Sequence, residues 1–255
     1  MATKTNYQSV GDTLKDRLLT ELGDRIHSIV LFGSVARGEA TDDSDIDVLV
    51  ITDGRSATED RIQHVANDFS LANEVLAEVT IFSTETFQTE VRMRSWFASD
   101  VLMQGRILTD DGTYGRFCRQ FEESDSMETG PTRELVDRTL DMAEESLQAS
   151  SSDLGQHLFR LAVDRAYYCM HHAAKAILAD RGVRPPRSHR GLATIFGRDI
   201  GLMSGEFGEM LSDAREHRTD STYDPFPTVT HEIAENEVRN VERFLDAANA
   251  LLKPD

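Results

Sequence analysis

Asp45 and Asp47 stand one residue apart at the entry to an apolar run, Val48-Leu49-Val50-Ile51, and Gly33-Ser34 closes an earlier one, Ile29-Val30-Leu31-Phe32. Both runs are short and rich in β-branched residues, which predicts two strands. A strand alternates its side chains, so the two carboxylates project from one face, about 6.5 Å apart at roughly 3.3 Å of rise per residue. Ile46 then points the other way, into a core. Two carboxylates so placed repel each other unless a cation neutralises them or one keeps its proton, and an all-oxygen pair suits a hard divalent ion. A glycine directly after a buried strand lets backbone N–H groups approach a phosphate with no Cβ in the way. The Ser34 hydroxyl and the Arg37 guanidinium are suitable donors to phosphate oxygens beside it.

A third acid lies downstream. Glu78 interrupts the apolar stretch Val75-Leu76-Ala77-Glu78-Val79-Thr80-Ile81-Phe82, which otherwise reads as a strand. A carboxylate there costs free energy unless a metal, a partner or water receives it.

The spacing G-S-x10-D-x-D, with Ala36-Arg37-Gly38 after the serine and Ser44 before the pair, resembles the signature of the polymerase-β-like nucleotidyltransferases. The likeness is closest to the minimal nucleotidyltransferase branch and to aminoglycoside nucleotidyltransferases. It implies two Mg²⁺ ions on Asp45 and Asp47. Glu78 completes the triad where Asp is the commoner residue, sharing the second ion and acting as base towards an acceptor hydroxyl. Gly33, Ser34 and Arg37 would hold the triphosphate, with ATP as donor and AMP as the transferred group. The acceptor is left open between a protein tyrosine, a small molecule and an RNA end.

Helices are expected over 7–23, 57–73 and 84–104, and a short last strand at 105–108. Residues 118–132 lose apolar content and end on Gly130-Pro131, which reads as an interdomain linker. Beyond it the 3/4 spacing of apolar residues predicts helices near 132–149, 153–181, 188–198, 206–217 and 229–252. The expected fold is α+β: a small mixed-sheet domain over 1–128, then an all-α bundle over 129–255. The segments AVDRAYYCMHHAAKAILADRGV (162–183), SHRGL (188–192), REHRTDSTYD (215–224) and VTHEIAENEVRNVERFL (229–245) resemble the HEPN helical domain. HEPN domains that cut RNA carry Arg-x4–6-His. Here Arg218 is followed by Tyr223, the next histidine is His231, and Arg215 has His217 only two residues on, so the pattern is incomplete. His171 and His172 read as core or interface histidines.

The resemblance supports a nucleotidyltransferase whose helical half is an adapter that forms a homodimer and shapes the acceptor pocket. The alternative is a single-chain toxin–antitoxin fusion in which the transferase half modifies or masks an RNase-like HEPN half. In nucleotidyltransferase–HEPN pairs AMP is placed on a tyrosine near the ribonuclease motif, and Tyr223 best matches that place. A nucleotide-binding module without turnover is a third reading, against which the intact carboxylates argue.

Composition sets outer bounds. The chain has 255 residues, room for two modest domains. It shows no apolar run long enough to span a bilayer and no leader-like N-terminus, so a cytoplasmic protein without membrane contact is expected. Cys118 and Cys169 form no metal or redox spacing. The formal net charge is −18, and only four of 27 basic residues are lysine. That balance removes the usual nonspecific attraction to DNA and suits work in concentrated salt, where screening lowers self-repulsion.

Overall fold

The computed structural model describes residues 7–41, 44–124, 130–186, 188–199, 205–223 and 229–252. The chain divides into two compact units, Met1–Thr129 and Gly130–Asp255. In the first, strands β1 (Ile26–Phe32), β2 (Ile46–Thr52), β3 (Ala77–Ser83) and β4 (Arg106–Asp110) form one sheet in the order β3-β2-β1-β4. β1 pairs antiparallel with β2 and β4, whereas β2 and β3 run parallel, so the sheet is mixed.

Side-chain alternation splits the core of this unit in two. Ile29 and Leu31 of β1, with Val48 and Val50 of β2, pack against Leu14 and Leu18 of α1 (Tyr7–Leu22). They also meet Ile62, Val65 and Phe69 of α3 (Ser56–Asn73), the crossover helix that parallel pairing of β2 and β3 requires. Between α1 and α3 lies the single turn α2 (Gly33–Ala36). Val30, Leu49 and Ile51 face the other way. They meet Phe87 and Val91 of α4 (Thr84–Arg92), Val101 of α5 (Trp96–Gln104), and Tyr114 and Phe117 of α6 (Thr113–Ser124). Residues 84–104, expected as one helix, break instead at Arg94, whose φ is +52°. Ser95 then caps α5, its hydroxyl accepting from Ala98 N–H at 3.1 Å. The stretch expected as linker from residue 118 stays helical to Ser124. Cys118 and Phe121 share a face with Tyr114 and Phe117 and pack on the same core.

The described residues of the second unit form helices alone: α7 (Arg133–Gly155), α8 (Phe159–Asp180), α9 (His189–Asp199), α10 (Gly205–Tyr223) and α11 (His231–Leu252). The fold is thus α+β, a small mixed sheet followed by an all-α bundle. α8 runs through its middle. Ala162, Ala166, Ala173, Ala174 and Ala176 are fully buried on it, and these small side chains let neighbouring helices approach closely. The turn between α7 and α8 comes at His157 (φ +61°), so α7 is longer and α8 starts later than the apolar spacing suggests. Among the described residues no helix is long and apolar enough to cross a membrane.

Candidate functional site

β1 ends where β2 begins, because the two are antiparallel: Phe32 lies opposite Asp47. Gly33 therefore sits directly against the Asp47 side chain. Its φ is +71°, and a Cβ added there would overlap the carboxylate and stand 2.7 Å from Cγ. The glycine is required twice over, by its left-handed backbone and by the close approach. Ser34 follows, half-buried, and its carbonyl accepts from Glu39 N–H at 2.9 Å, folding the chain back on itself. Arg37 is held to Glu39, Nε to Oε2 at 2.7 Å.

Asp47 is level with Glu78 in the parallel β2–β3 pair, so the two carboxylates are neighbours on one face of the sheet. Asp45, two residues before Asp47, is exposed at the mouth of β2 on that same face, while Ile46 is fully buried in the opposite core. The sheet thus sets Gly33 against Asp47 and Asp47 beside Glu78, which is exposed on the edge strand β3, while Asp45 lies exposed just before β2. Among the described residues no group of three His, Cys, Asp or Glu side chains is placed to enclose a metal ion. The donor set still suits Mg²⁺, which uses one or two carboxylates, keeps several waters and completes its shell with substrate phosphates.

A second constellation lies in the helical unit. Asp164, Tyr167, Tyr168, His171, His172 and Lys175 recur at intervals of three and one along α8 and form a polar stripe on an otherwise apolar helix. Arg218 of α10 donates from Nε to Asp164 Oδ1 and from NH2 to the Tyr168 hydroxyl, both at 3.2 Å. Its guanidinium lies over the Tyr168 and Tyr167 rings, 5.4 and 5.8 Å from their centroids. The Tyr167 hydroxyl is 2.6 Å from His189 Nδ1 and 3.3 Å from His171 Nδ1, bridging two imidazoles.

Burial first, then the positive charges around it, pushes His171 down to about 3. Burial and then Arg218, Lys175 and Arg215 also lower His189. Burial lowers Lys175 and pushes the Tyr167 phenol up to about 12. The signal for this cluster was the polar spacing on α8; its partners His189 and Arg218 come from other helices and leave no such trace. Tyr223 is the last residue of α10, and its side chain lies outside the described residues.

The family profile of the nucleotidyltransferase domain matches residues 12–103, and that of the HEPN domain matches residues 136–251. A Methanocaldococcus jannaschii protein named "Putative toxin" is 31% identical over 124 residues, 48% of this chain and 91% of its own length. A second protein of that organism, named "Putative protein adenylyltransferase", is 35% identical over 85 residues, 33% of this chain and 79% of its own. The solved structure of a nucleotidyltransferase-like protein from Exiguobacterium sibiricum aligns with a TM-score of 0.45 at 11% identity, over 94% of this chain and 78% of that one. Two family matches in sequence order, on a mixed sheet and then a helical bundle, place the chain among proteins that join a polymerase-β-like minimal nucleotidyltransferase domain to a HEPN helical domain.

Proposed function

We propose that this chain is a toxin and its antidote in one polypeptide, in which the nucleotidyltransferase half places AMP from ATP on a hydroxyl of the HEPN half and so silences it. One observation carries this reading. A single chain is similar both to a protein named as a putative toxin and to one named as a putative protein adenylyltransferase, covering most of each. Those relatives favour the fusion over a helical half that acts only as a dimerising adapter.

The residues of the sheet edge take the following parts. The Gly33 backbone and the Ser34 hydroxyl hold the triphosphate, and Arg37 turns from Glu39 to a phosphate oxygen. Asp45 and Asp47, with Glu78 sharing, would hold two Mg²⁺ ions, which when bound neutralise the charge that builds on the attacking and leaving oxygens. Glu78 accepts the proton of the acceptor hydroxyl. Tyr223 is the favoured acceptor, reached within the chain or across a homodimer.

Incubation with α-labelled ATP and Mg²⁺, alone and with aminoglycosides or RNA, tests the proposal. Label is expected on the chain itself, with the AMP adduct mapping to 215–239, and none is expected in Asp45→Asn or Asp47→Asn. Label found only on an added small molecule or RNA would return the helical half to the adapter role. No label on anything would overturn both readings.

A further inference from the structure

We infer that Ser44 is a positioning residue: its hydroxyl, tied to Thr41, fixes the backbone that carries Asp45 and so sets how tightly the carboxylate site holds a divalent cation. The inference rests on the reading of Asp45 and Asp47 as metal ligands, and it adds a residue outside the carboxylate set.

The two acids are held in different ways. Asp47 lies inside β2, opposite Phe32 and against Gly33, so packing leaves its side chain little room. Asp45 comes just before the strand and is exposed. Among the described residues no hydrogen bond or ion pair reaches its carboxylate. Its place is then set by the backbone on either side. On the later side the Ile46 N–H donates to the Leu76 carbonyl at 2.8 Å, and the Ile46 side chain is fully buried. On the earlier side the anchor is Ser44. Its N–H donates to the Thr41 carbonyl at 3.0 Å, and its hydroxyl oxygen accepts from the Thr41 N–H at 2.8 Å. The two residues thus exchange bonds of opposite sense, and their hydroxyl oxygens stand 3.3 Å apart.

Serine hydroxyls bond nearby backbone amides in this way and hold a loop that no sheet or helix supports. Upstream, the Glu39 N–H is bonded to the Ser34 carbonyl at 2.9 Å. The chain from the phosphate turn to β2 is therefore pinned at Ser34, at Ser44 and at Ile46, with Asp45 between the last two. Ordering a segment when a cation arrives costs conformational entropy, and a segment ordered beforehand is spared that cost. Groups that orient a ligand without touching the metal change its affinity about 10–100-fold when they are removed. In Ser44→Ala the Thr41 N–H loses its side-chain acceptor, while the bond from the Ser44 N–H stays. Thr41 is exposed, so water takes the freed N–H and the fold should hold.

Mn²⁺ alone, titrated into the full-length protein and followed by the EPR signal of the free ion, tests this without turnover. The wild type should bind, Asp45→Asn should bind more weakly, and Ser44→Ala should lose about 10-fold in affinity. Ser44→Thr keeps the hydroxyl and should restore the wild-type affinity. Ser83→Ala removes an equivalent bond, from the Thr86 N–H at 3.0 Å, at the far end of β3. It should lower the melting temperature and leave Mn²⁺ affinity unchanged. Unchanged affinity in Ser44→Ala, in a protein where Asp45→Asn weakens it, would overturn the inference and leave the carboxylate reading standing. So would a Ser44→Thr variant as weak as Ser44→Ala, or an equal loss in Ser83→Ala, which would mark a general loosening of the unit. A wild type that binds no Mn²⁺ would overturn the carboxylate reading and this inference with it.

Discussion

Gly33 shows how little room the carboxylate site has. A methyl group there would meet the Asp47 carboxylate and would have to adopt φ +71°. The conformation alone costs about 1–2 kcal/mol in an L-residue, and the overlap moves Asp47. Gly33→Ala should therefore abolish transfer while the melting temperature falls only modestly; full activity in that variant would break the link between the glycine and the acid. On the proposed assignment Asp45→Asn and Asp47→Asn would each remove a metal ligand and a repulsion together, so each should lose transfer without losing stability by thermal denaturation. Glu237 has a different role. It is buried on α11, and its Oε1 is 2.8 Å from His217 Nδ1 on α10. Burial, opposed by the His217 contact, raises its carboxyl above the ordinary value. The folded state then binds this proton more tightly than the unfolded state, so the stability this group contributes declines as pH rises from about 4.5 through the folded value. Glu237→Gln keeps an acceptor for His217 and removes the buried charge. Melting temperatures across pH 4–7 should lose that downward slope in the variant, and an unchanged profile would assign it to other groups.

At the level of elements, most helices were legible where apolar residues recur at three and four, but their ends were not, and α6, whose Tyr114, Phe117, Cys118 and Phe121 follow that spacing, was read in part as linker. Glu74, Arg94 and His157 all take left-handed backbone at helix ends, with φ of +53°, +52° and +61°. A glycine would ordinarily mark such a place, and none does, so 84–104 reads as one helix and the α7–α8 turn reads several residues early. Glu74 follows α3, is exposed, and donates its N–H to the Ser70 carbonyl. Glu74→Gly should relieve the strain and stabilise the first unit by about 1 kcal/mol, measured by urea denaturation; destabilisation would mean that the Glu74 side chain holds the turn. The carboxylate pair was legible because strand period is local: Asp45 and Asp47 must share a face. That Glu78 stands level with Asp47 was not, since register depends on how β3 pairs with β2, and no local pattern fixes that. The same holds in the bundle. The α8 stripe can be read from its spacing, but the arrival of His189 and Arg218 on it is a tertiary event.

Across the whole molecule, charge is the one property that every unit shares. Residues 1–128 carry 12 basic and 24 acidic side chains, and residues 129–255 carry 15 and 21. Pairs such as Arg133–Asp137, Arg138–Glu134 and Arg243–Glu206 lie on the surface with half-exposed side chains, where each contributes about 0–1 kcal/mol. Salt weakens these pairs and the general repulsion alike, as the screening length shrinks from about 10 Å at 0.1 M to about 3 Å at 1 M. With acids so far in excess, relief of repulsion is the larger effect, so stability should rise steadily from low to molar KCl. The rise should be steeper in the first unit, where acids outnumber bases two to one. The chain supplies its own reporter for that comparison: Trp96, its one tryptophan, sits on α5 of the first unit. Thermal unfolding followed by tryptophan fluorescence should therefore shift upward with KCl more than unfolding followed by helical circular dichroism, to which the second unit contributes most. A fluorescence transition that stays flat or falls with salt would show that surface pairing, and not repulsion, governs the electrostatics of this fold.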